Sequence, residues 1–202
     1  AWDRAWFDRV NTGQIAQRGW NSVTVPGCVA GWAALHERWG RLSLGDVLAP
    51  AIGYAHDGFA ISTIVSRKWA AQVPGLKDQP GFAEHFLPRG RAPAVGEHFI
   101  LKGAAATLER IAATGGRDYY EGETAAALVA HSRAHGGALA ADDLADYRPE
   151  WVETMSVPWG DYCLHEIPPN GQGIAALIAL GLLRELGLEA LEPDSVEARH
   201  LQ

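Results

Sequence analysis

His131 and His135 stand four positions apart in an alanine-rich stretch, the spacing at which two side chains share one face of a helix. Two imidazoles so placed can chelate zinc. However, Ser132 follows where H-E-x-x-H needs glutamate, and no third ligand stands nearby in sequence. The pair reads as solvated histidines near a helix C-terminus, where partial negative charge favours the protonated ring. His36, His56, His85, His98, His165 and His200 are dispersed without ligand spacing, so no metal site is expected. Asp142 and Asp143 are adjacent and would point to different sides of a helix; they read as acids meeting its positive end. Gly171 and Gly173 open an apolar run whose first amides could receive an anion. The third glycine of a dinucleotide fingerprint and the Lys-Ser/Thr of a phosphate loop are both missing. A tight turn that lets a helix approach a sheet closely is the better account, with Pro168-Pro169 stiffening the approach.

Nucleophilic catalysis has no visible owner. Gly-x-Ser-x-Gly is absent, and no serine or cysteine sits in a recognisable elbow. The seven threonines (Thr12, Thr24, Thr63, Thr107, Thr114, Thr124 and Thr154) are internal, whereas a threonine that uses its own α-amino group as base must head a chain. No catalytic, cofactor-binding or metal-ligating residue is therefore assigned, and no cofactor is expected. The 202 residues are 48% hydrophobic and 20% charged, which describes a folded chain. A formal charge of −7 with scattered basic residues, Arg89 and Arg91 being the nearest thing to a patch, argues against nucleic acid. Cys28 and Cys163 lie far apart outside any ligand motif and read as small buried hydrophobes. No apolar run reaches the ~20 residues a membrane span needs, and residues 174–183 are broken by Gly181. Trp2-Asp3-Arg4-Ala5-Trp6 lacks the basic-then-apolar pattern of an export signal, and without an initiator methionine the start reads as processed or truncated.

The elements that position these residues fall into two stretches, 1–150 and 151–202. The first element expected begins after Pro26-Gly27: Val29, Trp32, Ala33, His36 and Trp39 recur at helical spacing, with Gly40 as a left-handed stop. Ser43 and Asp46 read as a capping box for a run that Pro50 should kink, or restart, and Gly58 should end. Ser62 caps a further helix through Val65 and Trp69. Dense proline and glycine from Pro74 to Gly96 predict a long irregular loop with one helical turn around Phe82, Phe86 and Leu87. Residues 102–113 and 123–135 read as amphipathic helices and 142–147 as a short one cut by Pro149. Residues 151–157 and 162–167 then read as strands joined by Pro158-Trp159-Gly160-Asp161. Residues 172–186 form a helix apolar almost all round, which needs burial on several sides. The expected class is α+β: a predominantly helical fragment with a β-ribbon.

A family pattern runs through these elements in order. It starts with Val25-Pro26-Gly27-Cys28-Val29-Ala30-Gly31, Leu48-Ala49-Pro50-Ala51-Ile52 and Asp57-Gly58-Phe59. It continues with Asp118-Tyr119-Tyr120-Glu121-Gly122-Glu123, Gly136-Gly137, Asp143-Leu144-Ala145, Tyr147-Arg148-Pro149 and Pro168-Pro169-Asn170-Gly171-Gln172-Gly173. In these motifs the sequence resembles the γ-glutamyltransferase (γ-glutamyl transpeptidase) family, and within it part of the large subunit. The resemblance implies an N-terminal-nucleophile hydrolase: an αββα sandwich made by autoproteolysis into large and small subunits, with residues 1–150 a helical region and 151–202 contributing to the core. It implies transfer of γ-glutamyl groups from glutathione or related amides to water or amino acceptors, by a threonine on the small subunit. That subunit is the expected partner, and a small γ-glutamyl or acyl amide the expected substrate.

The departures matter. The family's substrate-carboxylate arginine sits in an upstream glycine-rich segment, and Arg4, Arg9 and Arg18 have no matching context. The P-P-P-S-S-G-G turn is here Pro168 to Gly173 with Asn170 and Gln172, which leaves a cephalosporin- or glutaryl-type acylase of the same family as an alternative. A non-catalytic helical scaffold is the alternative of a different class. Ala140 stands where relatives often place threonine and should weaken that helix start by about 1 kcal/mol. A periplasmic or extracellular location is implied by the resemblance alone.

Overall fold

The computed structural model describes residues 4–10, 15–187 and 190–201, so Trp2, Asp3 and Thr12 lie outside the described residues. Two units form, Ala1–Pro149 and Glu150–Gln202.

The first unit is helical. After α1 (Arg4–Val10) and a single 3-10 turn at Trp20–Ser22 come α2 (Cys28–Trp39), α3 (Leu44–Asp57), β1 (Phe59–Ala60) and α4 (Thr63–Leu76). Then follow α5 (Phe82–Phe86), β2 (His98–Phe99), α6 (Lys102–Thr114), α7 (Asp118–Glu121), α8 (Glu123–Ala134) and α9 (Ala141–Ala145). The serine caps read from sequence are in place. Ser43 Oγ accepts from the Asp46 N–H at 3.1 Å and donates to the Asp46 carboxylate at 2.6 Å, while Ser62 Oγ accepts from the Val65 N–H. Pro50 lies inside α3 instead of starting a second helix. A proline removes one ladder bond, and packing of α3 along α6 carries the helix through it.

Gly40 ends α2 for a different reason from the expected one. Its φ is −64°, an ordinary value. A side chain there would collide with the His36 carbonyl and imidazole, and His36 Nε2 reaches over the turn to the Leu42 carbonyl at 2.7 Å.

The core of this unit is an aromatic box. Trp69 meets Phe99 edge-on at 4.8 Å between ring centroids, and Phe86 stacks near Phe99 at 6.5 Å. The Trp69 indole N–H donates to the Phe86 carbonyl at 3.0 Å, satisfying its polar end. Beside the box lie fully buried Ile61 and buried Leu87. The antiparallel pairing of β1 with β2, Phe59 opposite Phe99, pins the long loop to α3. Strands of two residues have no alternation to read, so sequence patterning missed them, as it missed α1 and α7.

In the second unit, β3 (Met155–Trp159) and β4 (Tyr162–Glu166) form an antiparallel hairpin, followed by α10 (Gly173–Glu185) and α11 (Val196–Leu201). The register pairs Met155 with Glu166 and Trp159 with Tyr162, so the turn is Gly160-Asp161 alone, shorter than the expected four residues. Pro158 enters the ladder because a two-stranded ribbon is all edge. The α10 helix packs on both strands, yet among its described residues only Leu177 is buried. Ile178, Leu182 and Leu186 remain 56%, 59% and 56% exposed. The burial that such a helix needs is only partly supplied. The α+β class, mainly helical with a β-ribbon, is what the chain adopts. The cysteines correct the reading: Cys28 and Cys163 are exposed free thiols, not buried ones.

Candidate functional site

Three of the sequence motifs meet at one junction, and α7 is its hub. The α2 helix begins after Gly27, which offers no side chain to cap it. The cap comes from far along the chain instead. Tyr120 Oη accepts from the N–H of Ala30, the third residue of α2, at 3.0 Å, and donates to the Pro26 carbonyl at 2.7 Å. A capping side chain at position 27 is impossible, since its Cβ would collide with the Tyr147 hydroxyl. Tyr147 in turn stacks on Tyr120, 5.8 Å between centroids and 13° between planes. Val25 to Gly31, Asp118 to Glu123 and Tyr147 to Pro149 are therefore parts of one device.

The same short helix caps α8. Gly122, at the cap position, is again bare, and a Cβ there would collide with the Asp118 carboxylate. That carboxylate accepts from the Glu123 N–H at 2.9 Å, the Thr124 N–H at 3.3 Å and the Thr124 hydroxyl at 2.5 Å. The Thr124 hydroxyl bond is the largest influence holding Asp118 below the usual carboxylate range; partial burial opposes it, and the two N–H bonds and the Arg110 charge assist. Tyr120 moves the other way. Burial, foremost, raises its phenol above the ordinary value; the Ala30 N–H lowers it, while Tyr147, Tyr119 and Cys28 raise it further. The neutral phenol is the form this junction needs, because only a protonated Oη can donate to Pro26.

A cavity of about 260 Å³ opens beside the junction, walled by Ala30, Ala33 and Gly116 with Glu37, Arg117 and Arg148 among its charged groups. No serine, threonine or cysteine lines it. The arrangement positions backbone. A second polar knot closes the long loop. Glu97, its side chain 11% exposed, receives Arg91 at 2.9 Å and the Ala94 N–H at 2.9 Å, with Arg89 at 3.5 Å. Arg89 and Arg91 thus serve a carboxylate within the fold rather than a basic patch. Arg89 is the one non-glycine residue with positive φ, 63°, among those described.

His131 and His135 do share the face of α8, with ring centroids 4.3 Å apart. Both rings are exposed, as expected of a solvated pair, and the His131 Nδ1 also accepts the Trp20 indole N–H at 3.0 Å. Among the described residues no group of three or more His, Cys, Asp or Glu side chains could hold a metal ion. Asp143 accepts from the Ala140 N–H at 2.9 Å at the start of α9, a helix-start role and not an acid–base pair with Asp142. Gly173 begins α10 where a Cβ would collide with Glu166, so the close-approach reading of that turn holds. Of the threonines, Thr107 and Thr114 donate to carbonyls of their own helix, Thr124 to Asp118, and Thr154 lies 3.1 Å from His165 Nδ1. Sequence reasoning quoted Tyr120, Tyr147 and Asp118 inside motifs but gave them no role. The signal was there: a bare glycine at each helix start demands a cap from elsewhere.

Comparison with known proteins gives this geometry its context. A family profile described as Gamma-glutamyltranspeptidase matches residues 1–202. The glutathione hydrolase-like YwrD proenzyme of Bacillus subtilis is 37% identical over 188 residues, covering 93% of this chain and 36% of its own length. The crystal structure of cephalosporin acylase from Bacillus halodurans superposes with a TM-score of 0.86 at 39% identity, over 98% of this chain and 38% of that one. A gamma-glutamyltranspeptidase from Pseudomonas nitroreducens, complexed with L-DON, gives 0.80 at 31% identity, over 94% and 58%. The chain spans little more than a third of the length of the Bacillus subtilis relative, 36%. No helix among the described residues is long and apolar enough to cross a membrane.

Proposed function

This chain belongs to the gamma-glutamyltranspeptidase family, and from that premise we propose that it forms the helical wall and part of the core of an acyl-transferring enzyme whose nucleophile lies on other polypeptide. In this reading a threonine at the head of a small subunit attacks the carbonyl of a γ-glutamyl or related amide. Its own α-amine takes the hydroxyl proton and passes it to the departing amine. Water or an amino acceptor then releases the acyl group from the threonine, with backbone amides holding the oxyanion in both steps. The chain's own contribution is architectural: residues 150–202 supply a ribbon and an apolar helix to an αββα core, and α7 locks the helical region.

The observation that carries the reading is the uncovered apolar side of α10, where Ile178, Leu182 and Leu186 stay more than half exposed. A helix of that composition is stable when covered, and the missing cover is the remainder of the sandwich. Likeness to the Bacillus halodurans cephalosporin acylase supports a second reading, in which the acyl group is glutaryl-like instead of γ-glutamyl. Turnover of matched γ-glutamyl and glutaryl anilides by the full-length protein separates the two. A large γ-glutamyl preference supports transpeptidase or glutathione-hydrolase chemistry, and a glutaryl preference supports the acylase. No turnover of either removes the enzymatic reading in favour of a scaffold.

A further inference from the structure

The 3-10 turn at Trp20–Ser22 leads directly into the Val25-Pro26-Gly27 motif, and it is fastened to α8 through one titratable acceptor. The Trp20 indole N–H donates to His131 Nδ1 at 3.0 Å, and the two rings lie 5.6 Å apart. Trp20 sits so close to Gly137 that a Cβ there would stand 2.7 Å from the Trp20 Cβ. His131 is exposed, so solvent protons reach it freely. The surroundings are mostly basic. Arg18 from the stretch before the turn, His85 from α5 and His135 from α8 line the cavities around His131, against the single carboxylate of Glu84; residues 76–80 add only Leu76, Gln79 and Pro80.

We propose that Trp20 and His131 form an acid-released latch that frees residues 19–25 from α8 when the His131 ring takes up a second proton. A proton from solvent adds to the Nδ1 lone pair, giving an imidazolium with two N–H donors and no acceptor. The Trp20 hydrogen bond must then break; no covalent bond to carbon, oxygen or sulfur changes. Charge on His135, 4.3 Å away, works against keeping the two rings together once both are protonated. The latch is therefore closed while the His131 ring is neutral and open once it is protonated.

Hydrogen–deuterium exchange of the full-length protein, corrected for intrinsic rates, tests this at pH 7.5 and 5.5. Peptides covering residues 19–25 should exchange about fivefold faster at the lower pH, the loss of one neutral hydrogen bond. Peptides from α3 and α6 should stay unchanged. His131→Asn keeps an acceptor but cannot titrate, so its exchange should lose the pH response. Trp20→Phe lacks the donor and should exchange fast at both pH values, deciding the matter if the asparagine variant fails to fold. Equal wild-type protection at both pH values overturns the latch. So does a full pH response surviving in either variant.

Discussion

Replacing Tyr120 with phenylalanine removes one oxygen and should unfasten the start of α2. The hydroxyl serves the Ala30 N–H at 3.0 Å and the Pro26 carbonyl at 2.7 Å. The ring, with its stack on Tyr147, is retained, so the substitution isolates the polar contribution. Each neutral hydrogen bond is worth about 1 kcal/mol net, and the orphaned groups find no substitute, because Gly27 carries no side chain and cannot accept one. The expected cost is about 2 kcal/mol, a fall in Tm of roughly 4–8 °C for a chain of this size. Urea denaturation monitored by tryptophan fluorescence gives the first number and calorimetry the second. Tyr119→Phe is the control: its ring touches Tyr120 edge-on at 5.4 Å, and its hydroxyl has no hydrogen-bond partner among the described residues. That variant should cost less than about 0.5 kcal/mol. If Tyr120→Phe is as mild as the control, the long-range cap is not what holds the start of α2, and the junction argument fails.

Other outcomes follow from the same contacts. Asp118→Ala should destabilise by about 2 kcal/mol at pH 7, the upper range for losing a helix cap, with the loss shrinking in acid. Because the folded protein holds Asp118 below its ordinary value, its contribution is present above about pH 4 and disappears as pH falls through the folded value. A pH series of urea midpoints for wild type and variant checks the convergence. Glu97→Gln should loosen the 87–97 loop, read as faster tryptic cleavage after Arg89 and Arg91, whose guanidiniums it otherwise holds at 3.5 and 2.9 Å. Leu182→Glu should shift the midpoint of the 202-residue chain by less than about 0.5 kcal/mol, since that side chain is already 59% exposed. In the full-length protein the same change should abolish soluble assembly, and equal tolerance in both would contradict the covered-helix reading.

What the sequence disclosed, and what it hid, has a physical pattern. Helices whose caps are local were legible: Ser43 with Asp46 and Ser62 with Val65 lie three residues apart, and both bonds form. The hairpin and α10 were legible as well, although residues 151–154 lie outside the ribbon and Pro158 and Trp159 join it. Helices capped from a distance were visible only as glycine-led runs, because the partner of Ala30 is 90 residues away. Short elements such as α7 and the β1–β2 ladder are set by tertiary contacts, not by periodicity. The indole donor to His131 is 111 residues distant, and no local pattern announces it. The motifs themselves were plain in the sequence; that three of them are one capping device needed coordinates.

The central claim is that the reacting hydroxyl belongs to polypeptide outside these residues. Quenching the full-length protein with acid during turnover of a slow acyl ester, then mapping the acylated peptide by mass spectrometry, tests it most directly. One acyl group is expected, on a threonine that heads its own chain and lies on a peptide with no residue of 1–202. An acyl group found on Thr24, Cys28 or any other side chain within 1–202 would contradict it.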